Sequence, residues 1–262
     1  MRRHPRARLL GLLVLTSLAA GCRDREPRRE GAERIGFYLP GISRFSLHVD
    51  DSPGRRVEFQ FGSAHHLPVT GDWDGDGYDS VGIFSPGSGE FFLTNELAGG
   101  IAEVNVPFAG VSRAARPVAG DWDGDKLATL GVYDPDAGRF LVRNRNDAAA
   151  PTVEIPFGPF RGDALPVAGD WDGDGRCDVG LYDPGAGTFH LRLGTATEVR
   201  PFGPAGSLPL AGDWTGRGRA DVGVFDRAHG TVFLRLPGGG SRSIPVGREI
   251  GLPLAGRWRP PL

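Results

Sequence analysis

The chain is short of lysine, cysteine and long apolar runs. Lys126 is the one lysine among 30 basic residues, which face 32 acidic ones for a formal net charge of -2. With no basic stripe, nucleic acid is excluded as a partner. Two cysteines in 262 residues, Cys22 and Cys177, exclude a disulfide framework. The apolar run from Leu9 to Ala20 is 12 residues long, too few for a bilayer-spanning helix of about 20. Glutamate is scarce, ten against 22 aspartates, and no Ser-His-Asp or histidine-rich metal set stands out. Stretches free of helix breakers are missing too. The 42 Gly and 22 Pro make up about a quarter of the chain, which excludes helical bundles and doubly wound α/β folds.

What remains is 39% hydrophobic residues at low net charge, enough to build a core rather than a disordered chain. Many short strands joined by turns reconcile the two facts. At the N-terminus, Arg2, Arg3, Arg6 and Arg8 precede the apolar run, and Ala19-Ala20-Gly21-Cys22 follows it. This is an export signal, and Leu18-Ala19-Ala20-Gly21-Cys22 resembles a bacterial lipobox with its usual leucine displaced by one. The resemblance implies cleavage after residue 21, lipidation of Cys22 and a membrane partner through that anchor. The expected location is the cell envelope, at the outer membrane or the outer face of the cell membrane, with plain secretion as the alternative. Residues 22–32 then form a charged flexible tether, the alternation of charges running on to Glu33.

The rest is one motif met five times. Leu-Pro-Val-Ala-Gly-Asp-Trp and its variants place Trp73, Trp122, Trp171, Trp214 and Trp258 at spacings of 49, 49, 43 and 44. Nine residues after each of the first four comes a Gly in an apolar run, namely Gly82, Gly131, Gly180 and Gly223; nine further on stand Phe91, Phe140, Phe189 and Val232. Each repeat offers four strand-like runs. The N-terminus has runs two, three and four, from Ile35 to Gly62, whereas the C-terminus has run one alone, Leu252 to Trp258. Joined, they complete a fifth unit, which is how a ring of sheets closes without open edges. The expected fold is therefore all-β, a five-bladed β-propeller of four-stranded blades over residues 33–259. Its complete repeats span about 67–110, 116–159, 165–204 and 208–247, and the last blade joins 33–66 to 252–259. The Trp column reads as packing between adjacent sheets, and the Gly column as close approach of neighbouring backbones.

The loop between runs one and two carries the chemistry. In the third repeat, Asp170, Asp172, Asp174 and Asp178 stand at positions one, three, five and nine, with Gly175 at six for the turn. Oxygens in that pattern suit Ca²⁺, although Leu181 replaces the Glu an EF-hand has at position twelve. Asp-Gly steps are also hairpin turn chemistry, but crowded carboxylates repel unless neutralised. The first repeat has Asp72, Asp74 and Asp76 with Ser80 at nine. The second has Asp121, Asp123 and Asp125, with Lys126 where Gly belongs and Thr129 at nine, a poorer set. Thr215 and Arg217 in the fourth, and Arg257 to Arg259 in the fifth, leave no metal site. Calcium is thus expected as a structural brace in one to three blades.

The run from Phe157-Gly158 to Gly-Asp-x-Asp-Gly-Asp-Gly-x-x-Asp-Val, ending at Val179, resembles the FG-GAP or VCBS-type repeat of integrin-α-like propellers. That resemblance implies an exported recognition or adhesion propeller with calcium loops, but names no ligand. Integrin-type propellers have seven blades, and five-bladed tachylectin-like lectins fit the count better without their sugar-site residues being recognisable. The Arg161-Gly162-Asp163 tripeptide is discounted as chance. His65 and His66 read as surface loop, and Cys177, in an acidic loop, as unreactive. The expectation is a monomeric, non-enzymatic binding or scaffold module for a protein or glycan. The alternative is a five-bladed glycoside hydrolase or lyase, which needs blade-specific acids at the channel; Glu90, Glu103, Glu154 and Glu198 fall in or beside outer runs instead.

Overall fold

The computed structural model describes residues 31–49, 55–158, 160, 163–247 and 251–259. The export signal, Cys22 and Arg161-Gly162 lie outside them. The chain enters through β1 (Arg34–Leu39), β2 (Arg44–His48) and β3 (Arg56–Gln60). The first blade is β4 (Leu67–Gly71), β5 (Ser80–Ser85), β6 (Glu90–Thr94) and β7 (Val104–Pro107). The second is β8 (Arg116–Gly120), β9 (Thr129–Asp134), β10 (Arg139–Arg143) and β11 (Thr152–Pro156). The third is β12 (Leu165–Gly169), β13 (Asp178–Asp183), β14 (Thr188–Leu193) and β15 (Ala196–Pro201). The fourth is β16 (Leu208–Gly212), β17 (Asp221–Asp226), β18 (Thr231–Arg235) and β19 (Ser241–Pro245), and β20 (Leu252–Gly256) follows.

Each blade is a four-stranded antiparallel meander, and the fifth has the order β20-β1-β2-β3, so the C-terminal strand pairs with the N-terminal ones. Innermost strands pack in a closed circle, β4 on β8, β8 on β12, β12 on β16, β16 on β20 and β20 on β4. The fold is a five-bladed β-propeller. Among the described residues no helix is long and apolar enough to cross a membrane.

The sequence explains the radial order. Innermost strands carry Pro68, Pro117, Pro166, Pro209 and Pro253 at their second position. These strands have a ladder on one side only, so the missing N–H costs no sheet bond. Second strands are buried almost throughout, as in Ser80–Ser85 and Thr129–Asp134, and accordingly read as continuous apolar runs. Across from them, third-strand rings stack in register: Tyr38 on Phe45, Phe84 on Phe91, Tyr133 on Phe140 and Tyr182 on Phe189, with centroids 4.5 to 4.8 Å apart. Such pairs add about 0.5–1.5 kcal/mol each beyond burial. Outermost strands such as Thr152–Pro156 face water, which is why their patterns are weakest.

Between blades, each indole packs on the next sheet. Trp73 joins Leu130 and Val132, Trp122 joins Val179 and Leu181, Trp171 joins Val222 and Val224, Trp214 joins Ile35 and Phe37, and Trp258 joins Val81 and Ile83. The Gly column meets both side chains and backbone. A Cβ at Gly82 would lie 2.5 Å from Leu93 Cδ2, 2.9 Å from Val69 Cγ1 and 3.3 Å from the Phe92 carbonyl oxygen of the adjoining strand, so the backbone of the same blade approaches as expected and its side chains fill the space first.

A second, narrower seam closes the ring around the channel. The carbonyl just before each Trp, or just before Trp258 in the fifth blade, accepts the N–H of the residue preceding strand two of the adjacent blade. Ala128 N donates to Asp72 O at 2.8 Å, Cys177 N to Asp121 O at 2.6 Å and Ala220 N to Asp170 O at 2.8 Å. Glu33 N donates to Asp213 O at 3.0 Å, and Asp79 N to Arg257 O at 2.8 Å. The circle is complete.

Removing residues 252–262 should therefore do more than trim a tail. It deletes β20, the seam bond from Asp79 N to Arg257 O and the Trp258 contact with Val81 and Ile83, leaving β1 as an open edge. The truncated chain should lose its single cooperative melt by circular dichroism. A cooperative transition at an unchanged midpoint would show that ring closure does not hold the fold.

Candidate functional site

In all four aspartate-bearing loops the first Asp is committed to the backbone. Asp72 accepts Gly75 N and Gly77 N at 2.7 and 2.8 Å. Asp121 accepts Gly124 N and Lys126 N, both at 2.7 Å, and Asp170 accepts Gly173 N and Gly175 N at 2.6 and 2.9 Å. Asp213 does the same for Thr215 N and Gly218 N. The loop therefore closes by charge-assisted hydrogen bonds before any ion is considered.

The second and third aspartates carry less of that job, at most one backbone bond each: Tyr78 N, Leu127 N and Arg176 N donate to Asp76, Asp125 and Asp174 at 2.8 to 2.9 Å, and Asp76 N and Asp174 N more loosely to Asp74 and Asp172, at 3.3 and 3.1 Å. Asp74, Asp76, Asp123, Asp125, Asp172 and Asp174 are exposed, yet in each of loops one, two and three the triad brings one oxygen from each residue within 4.8 Å of the others. Oxygens sharing one Ca²⁺ at 2.3–2.6 Å can lie at most about 5 Å apart, so Asp72-Asp74-Asp76, Asp121-Asp123-Asp125 and Asp170-Asp172-Asp174 fit the ion. Unneutralised, each pair of charges repels by about 1 kcal/mol even in bulk water.

Three details depart from the sequence-based ranking. Lys126 adopts φ 73°, the left-handed backbone of the glycine it replaces, so loop two gathers its triad as loops one and three do. Asp178 stands outside the 4.8 Å set of loop three, at the start of β13; burial and then the charge of Asp172 push its carboxyl up to about 6. In loop one, Arg259 of the fifth blade pairs with Asp76 and lies over the Tyr78 ring, 5.3 Å from its centroid. Residues that seemed only to lack ligands are thus the counter-charge of the neighbouring loop, and a cation in loop one would have to displace Arg259 from Asp76.

Where the loops converge, the channel widens into a cavity of about 1090 Å³. Its waist is ringed by small residues, Thr70, Ala119, Ala168, Ala211 and Ala255. The position before strand two points into it, and there the five-fold repetition breaks down: Glu33, Asp79, Ala128, Cys177 and Ala220 occupy the ring. Sequence reading left Glu33 at the end of a solvated tether. It is instead a lumen residue, accepting Asp213 N at 3.2 Å, and a Cβ at Gly212 would meet its Oε2 at 2.5 Å. Burial, then the charge of Asp79, push its carboxyl up to about 8. Asp79 accepts Arg257 N at 2.6 Å and is raised by burial to about 6. Burial lifts the Cys177 thiol to about 12, with the charges of Asp121, Glu33 and Asp170 adding to it, which disfavours the thiolate.

These two acids are blade-specific, the feature the sequence analysis did not find at the channel. The outer glutamates are spent locally: Glu154 pairs with Arg139, Glu198 with Arg200, and Glu103 accepts Asn95 N. His65 and His66 lie in the loop between β3 and β4, where His66 Nδ1 accepts Ser63 N at 3.1 Å.

No protein-family model matches the sequence, and no curated protein matches it significantly. Two solved structures are similar in overall shape. A streptogramin B lyase structure aligns at 10% identity with a TM-score of 0.43, over 82% of this chain and 74% of that one. The BBS1N chain of a complex with ARL6DN aligns at 9% identity with a TM-score of 0.40, over 82% and 65%.

The two aspartate roles separate by mutation. In EGTA, Asp170→Ala should cost about 2–3 kcal/mol, because two backbone N–H groups lose a charged acceptor, whereas Asp172→Ala, which gives up one exposed bond from Asp174 N at 3.1 Å, should cost about 0.5–1 kcal/mol. Equal losses in a denaturant titration would contradict the assignment. Glu33 binds its proton more tightly in the folded chain, about 8 against an ordinary 4.5. Its contribution to stability is therefore fully present below pH 4.5 and is lost as pH rises through about 8. Glu33→Gln should flatten the fall in melting temperature between about pH 5 and pH 9. An unchanged slope would remove Glu33 from the lumen.

Proposed function

We propose that the protein is an exported, lipid-anchored binding or scaffold propeller of the FG-GAP/VCBS kind, braced by calcium and holding a protein or glycan at the cell surface. The observation that carries the calcium part is the convergence of three aspartate triads, each with its first member held by two strong backbone amides and the others by at most one. Ca²⁺ in this reading supplies charge neutralisation and cross-links the exposed half of a loop to its capped half; no chemistry is routed through it. Affinities of about 10⁻⁴ to 10⁻³ M are ordinary for extracellular calcium modules. Anchoring rests on Cys22 and the leader before it, with secretion as the alternative.

A second reading, a glycoside hydrolase or lyase, is favoured by one observation. Glu33 and Asp79 are neighbouring lumen carboxyls with separated proton affinities, the arrangement in which one acid stays protonated while the other ionises. Against it, all seven acids at the cavity rim, Glu33 and Asp79 included, have backbone partners or ion pairs that serve the fold, so the binding reading is preferred.

Calcium at tenfold over its dissociation constant should stabilise by about 1.4 kcal/mol per occupied site, or a few degrees of melting temperature each for a domain of this size. EGTA should reverse the gain, and Asp172→Ala with Asp174→Ala should abolish part of it. No shift on fully demetallated protein would sink the brace. A glycan array and pull-down with the propeller, run with and without calcium, tests the binding role, and turnover of a polysaccharide in the same screen would establish the enzyme instead. Cys22→Ser should release the protein from membranes; persistent association would point to another anchor.

A further inference from the structure

A second concavity, of about 220 Å³, opens between the third and fourth blades beside loop four. Four guanidinium groups line it: Arg200 from β15, Arg217 and Arg219 from the loop, and Arg235 from the end of β18. Their carboxylates are fewer. Asp221 lies between Arg200, at 2.9 Å, and Arg235, at 3.3 Å, while Glu198 takes the other side of Arg200 at 2.8 Å. Two acids against four bases leave the pocket with an excess of about two positive charges.

The site is built rather than draped. Arg200 is buried, 9% exposed, and its ion pairs to Glu198 and Asp221 fix one wall. Arg219 Nε donates to Trp171 O at 2.7 Å across the blade boundary, which aims the guanidinium while leaving its terminal nitrogens over the pocket. Arg217 is exposed and engages no partner among the described residues. Thr215 Oγ1 is not a donor to spare, because it already bonds Asp213 at 3.3 Å.

Loop four shares its backbone turn with the calcium-type loops, since Asp213 closes it as Asp72, Asp121 and Asp170 close theirs. At the positions where those loops present their second and third carboxylates it presents Thr215 and Arg217. The same scaffold is thereby inverted from an acceptor set to a donor set. We infer that this pocket binds an oxyanion, the carboxylate, sulfate or phosphate group of a ligand, held by the free fork of Arg217 with Arg219 and Arg235 behind it. Planar guanidinium forks match such groups with two parallel hydrogen bonds, and a volume equal to about seven waters admits the group with part of its carrier. The inference goes beyond the binding reading above and needs no calcium.

The test uses the mature chain in EGTA, so that calcium binding and this site fail separately. Sodium sulfate, sodium phosphate and sodium glucuronate are titrated at constant ionic strength against sodium chloride, with the arginine Nε–H signals followed by NMR. At least one of the three should give a saturable shift on Arg217 and Arg219 that chloride does not. Arg217→Glu should weaken it by about tenfold or more, and Arg217→Lys, which keeps the charge but loses the fork, should fall between. Tightest binding of glucuronate assigns a carboxylated glycan; tightest binding of sulfate or phosphate assigns an ester of those acids. Shifts no larger than chloride's for all three, or a response unaltered in folded Arg217→Glu, would overturn the proposal.

Discussion

The hydrogen bond between a carbonyl on the channel side of one blade and an N–H of the next is the constraint on which the rest depends. It recurs at Asp72, Asp121, Asp170, Asp213 and Arg257, and it is made by backbone. Side chains at those five positions are consequently released from closing the ring. Four of them use that freedom to cap their own loop, and the fifth, Arg257, reaches Gly77 O in the first blade. A constant backbone with variable side chains is how one repeat can carry different chemistry in different blades.

That variability is distributed around the ring rather than concentrated. Loops one to three present crowded carboxylates, loop four presents arginines, and the fifth blade lends Arg257 and Arg259 to its neighbour. Inside the lumen two acids, Glu33 and Asp79, sit side by side where the other blades have Ala128, Cys177 and Ala220. Outside, the interblade indoles are the same everywhere, and tilted second- and third-strand ring pairs recur in four blades, Val232 facing Phe225 in the fourth. Symmetry thus belongs to the parts that hold the fold, and asymmetry to the loops and the lumen.

Legibility in the sequence follows the same division. Trp73 and its four counterparts, the Gly column and the closing strand could be read because copies of one environment repeat the same residue type at nearly the same spacing. β7, β11, β15 and β19 were fainter, since a solvent-facing outer strand selects for little beyond alternation. Glu33 was missed because its sequence neighbours are charged and its spatial neighbours, Asp213 and Asp79, lie in other repeats. Arg259 with Asp76 spans 183 positions, and no local pattern encodes such a pair. The Arg200, Arg217, Arg219 and Arg235 pocket was hidden likewise: loop four looked like a failed calcium loop until β15 and β18 brought two more arginines beside it. Lys126 shows the opposite error, where a residue with an unfavourable backbone preference was tolerated because Asp121 accepts its N–H at 2.7 Å.

In the proposed reading the first aspartate of each loop closes its turn with two backbone bonds, while the second and third, with at most one each, turn their remaining oxygens to an ion. A crystal structure grown in calcium, with the anomalous signal measured, tests this most directly. Peaks coordinated by oxygens at about 2.3–2.6 Å are expected within the triads of loops one, two and three, with Asp76 turned from Arg259 to the ion. No peak is expected beside Thr215 and Arg217 or beside Arg257 to Arg259. Loops that keep this conformation in saturating calcium with no peak at any triad would contradict the account and leave the aspartates as turn chemistry alone.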